Sequence, residues 1–143
     1  MQVSSQGNII ALDVGDARIG VAVGHTIARL PSPIGVIHTQ PIDEALAALQ
    51  LTIRTQQEVV ALVVGMPFNQ DGNDTPQSKK VKEFIALLKT QTTLPIFTVD
   101  ESFSSQEADS YIKQHKITSK HNDAIAACLV LQRFFDEQES AYA

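Results

Sequence analysis

A chain of 143 residues, 43% hydrophobic and 19% charged, is long enough to bury the core of one domain spanning residues 1–143 without disulfides or a structural metal. Its net charge of -5 argues against a protein that coats nucleic acid through bulk positive charge, but not against local phosphate binding through metal ions. The single cysteine, Cys128, excludes an internal disulfide; no apolar run approaches membrane-spanning length, and the opening MQVSSQGN lacks the basic-then-apolar pattern of a signal peptide, so a cytoplasmic protein away from membranes is expected.

Residues 8–25, NIIALDVGDARIGVAVGH, hold two β-rich runs joined by a short Gly/Asp turn, the pattern of an antiparallel hairpin. The first run closes on a lone acid, Asp13. A carboxylate at the end of a buried strand is costly unless paired, solvated or bound to a cation, although Asp is also a common turn residue. A loop over 25–33 leads to a third short strand, 34–38 (IGVIH). From 41 to 56 the apolar residues Ile42, Ala45, Leu46, Leu49 and Ile53 recur at helical spacing, with Asp43 and Glu44 suiting the N-terminal end of the dipole. Residues 59–64 (VVALVV) are apolar without alternation, as in a strand covered on both faces.

A polar loop with Asn69, Asp71 and Gly72 follows. Thr75-Pro76 then reads as an N-cap with proline at the first helical position, and Val81, Phe84, Ile85 and Leu88 form that helix's apolar face. Lys79, Lys80 and Lys82 are expected on its solvated side. Residues 95–99 (PIFTV) form another strand, closing on Asp100 and Glu101. Ser104-Ser105-Gln106-Glu107 matches a capping box, placing a helix over 104–114. Asn122 caps a last helix from 123 to about 137, whose run 124–131 is apolar all round and therefore buried.

The order β-β-β-α-β-α-β-α-α predicts an α/β fold, a mixed five-stranded sheet flanked by helices, and suits the ribonuclease H-like arrangement best. Sites in such sheets lie beyond the carboxyl ends of the strands. Asp13, Glu101 and Asp123, distant in sequence, are all predicted at that edge. Each has a plainer reading alone, as a turn residue, a strand-end residue or a helix N-terminal charge. Together they would repel one another unless a hard divalent cation, Mg²⁺ or Mn²⁺, neutralised them. Two such ions can align a water and stabilise both oxygens of a phosphodiester under attack.

The stretches Leu12-Asp13-Val14-Gly15 with Arg18-Ile19-Gly20-Val21, Val63-Val64-Gly65-Met66-Pro67 with Asp71-Gly72, Val99-Asp100-Glu101 with Ser104-Ser105, and Asp123-Ala124-Ile125-Ala126-Ala127 resemble the YqgF/RuvX family, the Holliday-junction-resolvase-like group regarded as pre-16S rRNA nucleases. Four motifs in register cover nearly the whole chain. The resemblance implies a ribonuclease H-like fold, metal-dependent phosphodiester hydrolysis and processing of the 5′ end of 16S ribosomal RNA, with branched-DNA cleavage as the alternative substrate. It assigns Asp13 as the central ligand bridging two ions, with Glu101 and Asp123 completing the coordination and orienting water. Arg18, Asn69 and Ser104 are weaker candidates for phosphate or backbone contacts. Arg18 could equally pair with a surface acid, and Ser104 is already explained as a cap.

One position departs from the family, which usually carries arginine after the Asp-Glu pair where this chain has Ser102. Serine cannot clamp a phosphate bidentately; Lys116 or Lys120, in a basic run with Lys113, His115 and His121, could compensate. Two rival functions stand beside the nuclease. An ATP-handling, actin-like or sugar-kinase-like domain would need a second domain and a second phosphate hairpin. A non-catalytic module binding RNA or a protein partner fits the acidic charge and Ser102, but gains nothing from clustered acids. A monomer or weak homodimer is expected, a monomer suiting RNA trimming and a symmetric dimer a two-fold junction.

Overall fold

The computed structural model describes residues 5–68, 71–101, 110, 113–114 and 124–142. Strands β1 (Asn8–Val14), β2 (Arg18–His25) and β3 (Ser32–His38) form an antiparallel meander; helix α1 (Ile42–Gln56), strand β4 (Val59–Met66), helix α2 (Pro76–Lys89), strand β5 (Ile96–Asp100) and helix α3 (Ile125–Tyr142) follow. The sheet order is β3-β2-β1-β4-β5, with β4 parallel to both β1 and β5. This is the mixed five-stranded sheet that the sequence predicts. Ser110, Lys113 and Gln114 are helical, as expected for 104–114; the rest of that span, with its proposed Ser104 cap, lies outside the described residues, as does Asn122. Among the described residues no helix is long and apolar enough to cross a membrane.

Strands β1, β2 and β4 alternate between two cores. Ile10, Leu12 and Val14 of β1, Ile19 and Val21 of β2, and Leu62, Val64 and Met66 of β4 pack under α1 and α2. Ile9 and Ala11, Ala22, Ala61 and Val63 pack under α3, against Cys128, Val130, Leu131 and Phe134. The non-alternating run of β4 is thus explained, since helices cover both of its faces. Cys128 is fully buried, a structural thiol.

The predicted Thr75 cap forms a complete capping box. Thr75 Oγ1 accepts from the Ser78 amide at 3.0 Å while Ser78 Oγ accepts from the Thr75 amide at 2.7 Å. The Thr75 hydroxyl also donates to the Pro67 carbonyl at 2.9 Å, tying α2 to the segment that leaves β4. The lysines on α2 lie on its solvated side as expected. Lys80 pairs with Asp16, and Lys82 with Ser78 holds the Asp74 carboxyl below its ordinary range.

Several boundaries differ from expectation. β1 runs one residue past Asp13, to Val14, because the hairpin closes only where the Gly15 amide donates to the Arg18 carbonyl at 2.8 Å. β3 starts at Ser32 rather than 34 and takes Pro33 into the strand, with a register shift against β2 at Val21/Ala22. β3 is an outer strand, where a proline need not donate to a neighbour. β4 continues through Gly65 and Met66, which pair with Val99 and Asp100 of β5. The last helix begins at Ile125 and extends to Tyr142, past 137.

Candidate active site

The sheet's pleat gives the site its geometry. Asp13 follows Ile9 and Ala11 on the α3 side of β1, so its carboxylate stands on the face that α3 covers. It pairs with Gly20 on β2, and its neighbour Leu12 is level with Val64, which sets Asp13 beside Gly65 on β4. β5 is held at Gly65↔Val99 and Met66↔Asp100, and the Glu101 amide donates to the Met66 carbonyl at 3.0 Å. Glu101 therefore leaves the sheet immediately beyond β5, on the same side as Val99.

Glu101 leans over Gly65. A methyl group at Gly65 would lie 2.9 Å from Glu101 Cδ, 3.0 Å from its Oε2 and 2.8 Å from Val130 Cγ2. Only a residue without a side chain leaves this space, so the glycine acts here through close approach rather than through its torsions. The notch brings the Glu101 carboxyl within hydrogen-bonding reach of Asp13. Burial first, then the hydrogen bond to Asp13 and the charges of Asp13 and Asp100, push the Glu101 carboxyl up to about 10. At neutral pH the pair on its own thus holds a proton on Glu101.

Three hydrogen bonds brace the pair. Arg133 of α3 donates from Nη1 to the Asp100 carbonyl at 2.7 Å, fixing the backbone next to Glu101. On the other side Thr39 Oγ1 donates to the Gly15 carbonyl at 2.9 Å and Gln77 Nε2 to the Val14 carbonyl at 3.2 Å, holding the hairpin turn beyond Asp13. Sequence reasoning missed Gly65 and Arg133 as supports. A glycine closing an apolar run was the visible signal for the first; nothing local signals a bond spanning 33 positions.

The donor set can be tested against a divalent cation. Glu101 Oε1 is buried and has no hydrogen-bond partner among the described residues, an arrangement that costs free energy unless something else satisfies the oxygen. An acid pair that cannot ionise together, with one orphaned oxygen, fits a hard cation that replaces the shared proton. Among the described residues no set of three or more His, Cys, Asp or Glu side chains is arranged to hold a metal ion. Asp123, the expected third acid, lies outside them. The direction of α3 bears on it: Phe134 packs on Phe97 with ring centroids 5.4 Å apart, and Val130 meets Gly65. The helix therefore approaches the carboxylate edge towards its N-terminal end. Arg18 is exposed at the start of β2. Asn69, Ser102, Ser104, Lys116 and Lys120 lie outside the described residues.

The β3-β2-β1-β4-β5 order, with acids at the carboxyl ends of β1 and β5, defines a ribonuclease H-like fold. Solved structures agree on the fold. The Fowlpox virus resolvase in complex with Holliday junction DNA superposes with a TM-score of 0.59 at 10% identity, covering 91% of this chain and 97% of that one. RuvC of Thermus thermophilus gives 0.56 at 13%, covering 93% and 96%. The sequence profile of RuvX, described as Holliday junction resolvase, matches residues 7–137, and this chain belongs to that family. A relative from Roseiflexus sp. (strain RS-1), named "Putative pre-16S rRNA nuclease", is 37% identical over 139 residues, covering 94% of this chain and 98% of its own length.

Proposed function

We propose that the chain is a cytoplasmic nuclease that hydrolyses phosphodiester bonds with Mg²⁺ or Mn²⁺ held at Asp13, Glu101 and Asp123, and that it trims the 5′ end of precursor 16S rRNA. The observation that carries this reading is the half-buried Asp13–Glu101 pair with its buried, orphaned Glu101 oxygen. When bound, two divalent ions would supply charge neutralisation at the scissile phosphate and lower the barrier to attack by water. The chain's own residues do the rest. Asp13 presents its carboxylate from a strand fixed on both sides, Gly65 makes room for Glu101, and Glu101, once deprotonated, would hold the ions with Asp13. The relatives' names favour precursor rRNA as substrate; the family description and the Fowlpox complex favour branched DNA as the second reading.

The test is cleavage of end-labelled precursor 16S RNA, with a four-way DNA junction alongside, in Mg²⁺, Mn²⁺ and EDTA. Metal-dependent RNA cutting that falls on the order of a thousandfold in Asp13→Asn is expected. Cutting of the junction alone would move the substrate to DNA. Equal inertness of wild type and variant on both would reject catalysis in favour of a binding module. Sedimentation of the active species would separate an RNA-trimming monomer from a junction-cutting dimer.

A further inference from the structure

The face that carries the acids does not stop at Asp13. Antiparallel register carries it outward: Asp13 pairs with Gly20, Gly20 with Val36, and one step nearer the hairpin turn Arg18 pairs with His38. Residues paired across antiparallel strands share a face. Ile19 and Ile37, the residues between, pack into the core under α1 and α2, so the pleat turns Arg18 and His38 to the opposite side, with Asp13. Strand spacing and rise put their Cα atoms about 8 and about 12 Å from that of Asp13. Arg18, Val36 and His38 are all exposed, whereas Asp13 is half-buried. The His38 ring makes no hydrogen bond among the described residues, and Gly20 between the acid and Val36 adds no side chain to obstruct an approaching strand.

We propose that Arg18 and His38 form a paired subsite for the backbone phosphates of a single-stranded RNA, one side of the scissile bond, leading the strand across β2 and β3 into the carboxylate site. This rests on the nuclease reading for its choice of RNA. Arg18 supplies a fixed positive charge with a planar fork of donors, and His38 an N–H donor that binds a phosphate oxygen in either protonation state. A chain of net charge -5 cannot hold RNA by its overall field, so local cations beside the acids must offset their repulsion of the backbone.

Binding is measured by fluorescence polarisation with a labelled single-stranded RNA across a salt series, every protein carrying Asp13→Asn so that no cleavage intervenes. Each phosphate contact on a single strand contributes about 0.7 to the slope of log affinity against log salt. Arg18→Gln should flatten the slope by about 0.7 and weaken binding about tenfold. His38→Ala should weaken it several-fold, and His38→Lys should tighten it and steepen the slope by about 0.7. Circular dichroism and melting temperature verify that the variants are folded. An affinity and slope unchanged in all three variants would overturn the subsite while leaving the nuclease reading to its own cleavage test. No RNA binding at all, with binding of an equivalent DNA strand that responds to the same variants, would keep the subsite and change its ligand. Equal weakening by His38→Lys and His38→Ala would also overturn it, because it would mark His38 as structural.

Discussion

Under α1 and α2 the sheet presents Ile10, Leu12, Ile19, Val21, Leu62 and Val64, whereas on the α3 side small residues, Ala11, Gly20, Ala22, Gly24, Ala61 and Gly65, outnumber the large Ile9 and Val63 at the alternate positions of the same strands. Large aliphatics on one face interlock with two helices and are anchored by the Thr75 box. Small residues on the other let α3 ride close: a methyl at Gly24 would meet Leu131 at 3.1 Å and Phe135 at 3.0 Å. Close approach then leaves, at Gly65, a notch with room for a carboxyl group. One sheet thus divides its labour by face, with its larger aliphatic packing on one side and its acids on the other.

Four measurements would break or sharpen that division. The largest effect is expected from Glu101 in the absence of divalent cations. Folded, its carboxyl keeps a proton up to about 10, against an ordinary value of 4.5. The folded state therefore binds the extra proton, so this contribution to stability is full below pH 4.5 and is lost as pH rises toward 10. The melting temperature should fall by about 5 °C or more between pH 5 and pH 9. Mg²⁺ should reverse the fall, and Glu101→Gln should flatten it. A flat wild-type profile would mean that the two acids are not buried together.

Next, Leu62→Ala on the α1/α2 face should cost about 2–5 kcal/mol in urea unfolding while activity per folded molecule is retained. Gly65→Ala should cost less, about 1–3 kcal/mol through overpacking, yet reduce cleavage far more by displacing Glu101. If the two variants lost activity in proportion to stability, the division by face would fail. Smallest, Thr75→Ala should cost about 1 kcal/mol by opening the capping box, without altering the metal dependence of cleavage.

Much of this architecture is legible in local sequence. The unalternating 59–64 run announces a strand covered twice, Thr75-Pro76 announces a helix start, and the apolar 124–131 run announces a buried helix. What local sequence does not carry is the relation between distant positions. Gly65 reads as the end of a strand because glycine packs poorly there; its purpose depends on Glu101, which arrives 36 positions later across a parallel pairing. The Arg133 bond to the Asp100 carbonyl is likewise a product of assembly. Asp13 and Glu101 could be named as partners only because the strand order places both at one edge, and that order came from counting elements, not from either acid. The neighbouring Arg18–His38 pairing needed the hairpin register, which the turn and its hydrogen bond set.

The outer strand has a further consequence, for behaviour at high concentration. An uncovered strand offers its backbone as a template on which other chains can stack. In β3 the template is interrupted twice: Pro33 offers no amide, and the register shift beside it breaks the even spacing of the remaining groups. The opposite border, β5, is only five residues long. Among the described residues neither margin supplies the long, regular ladder from which fibrils grow.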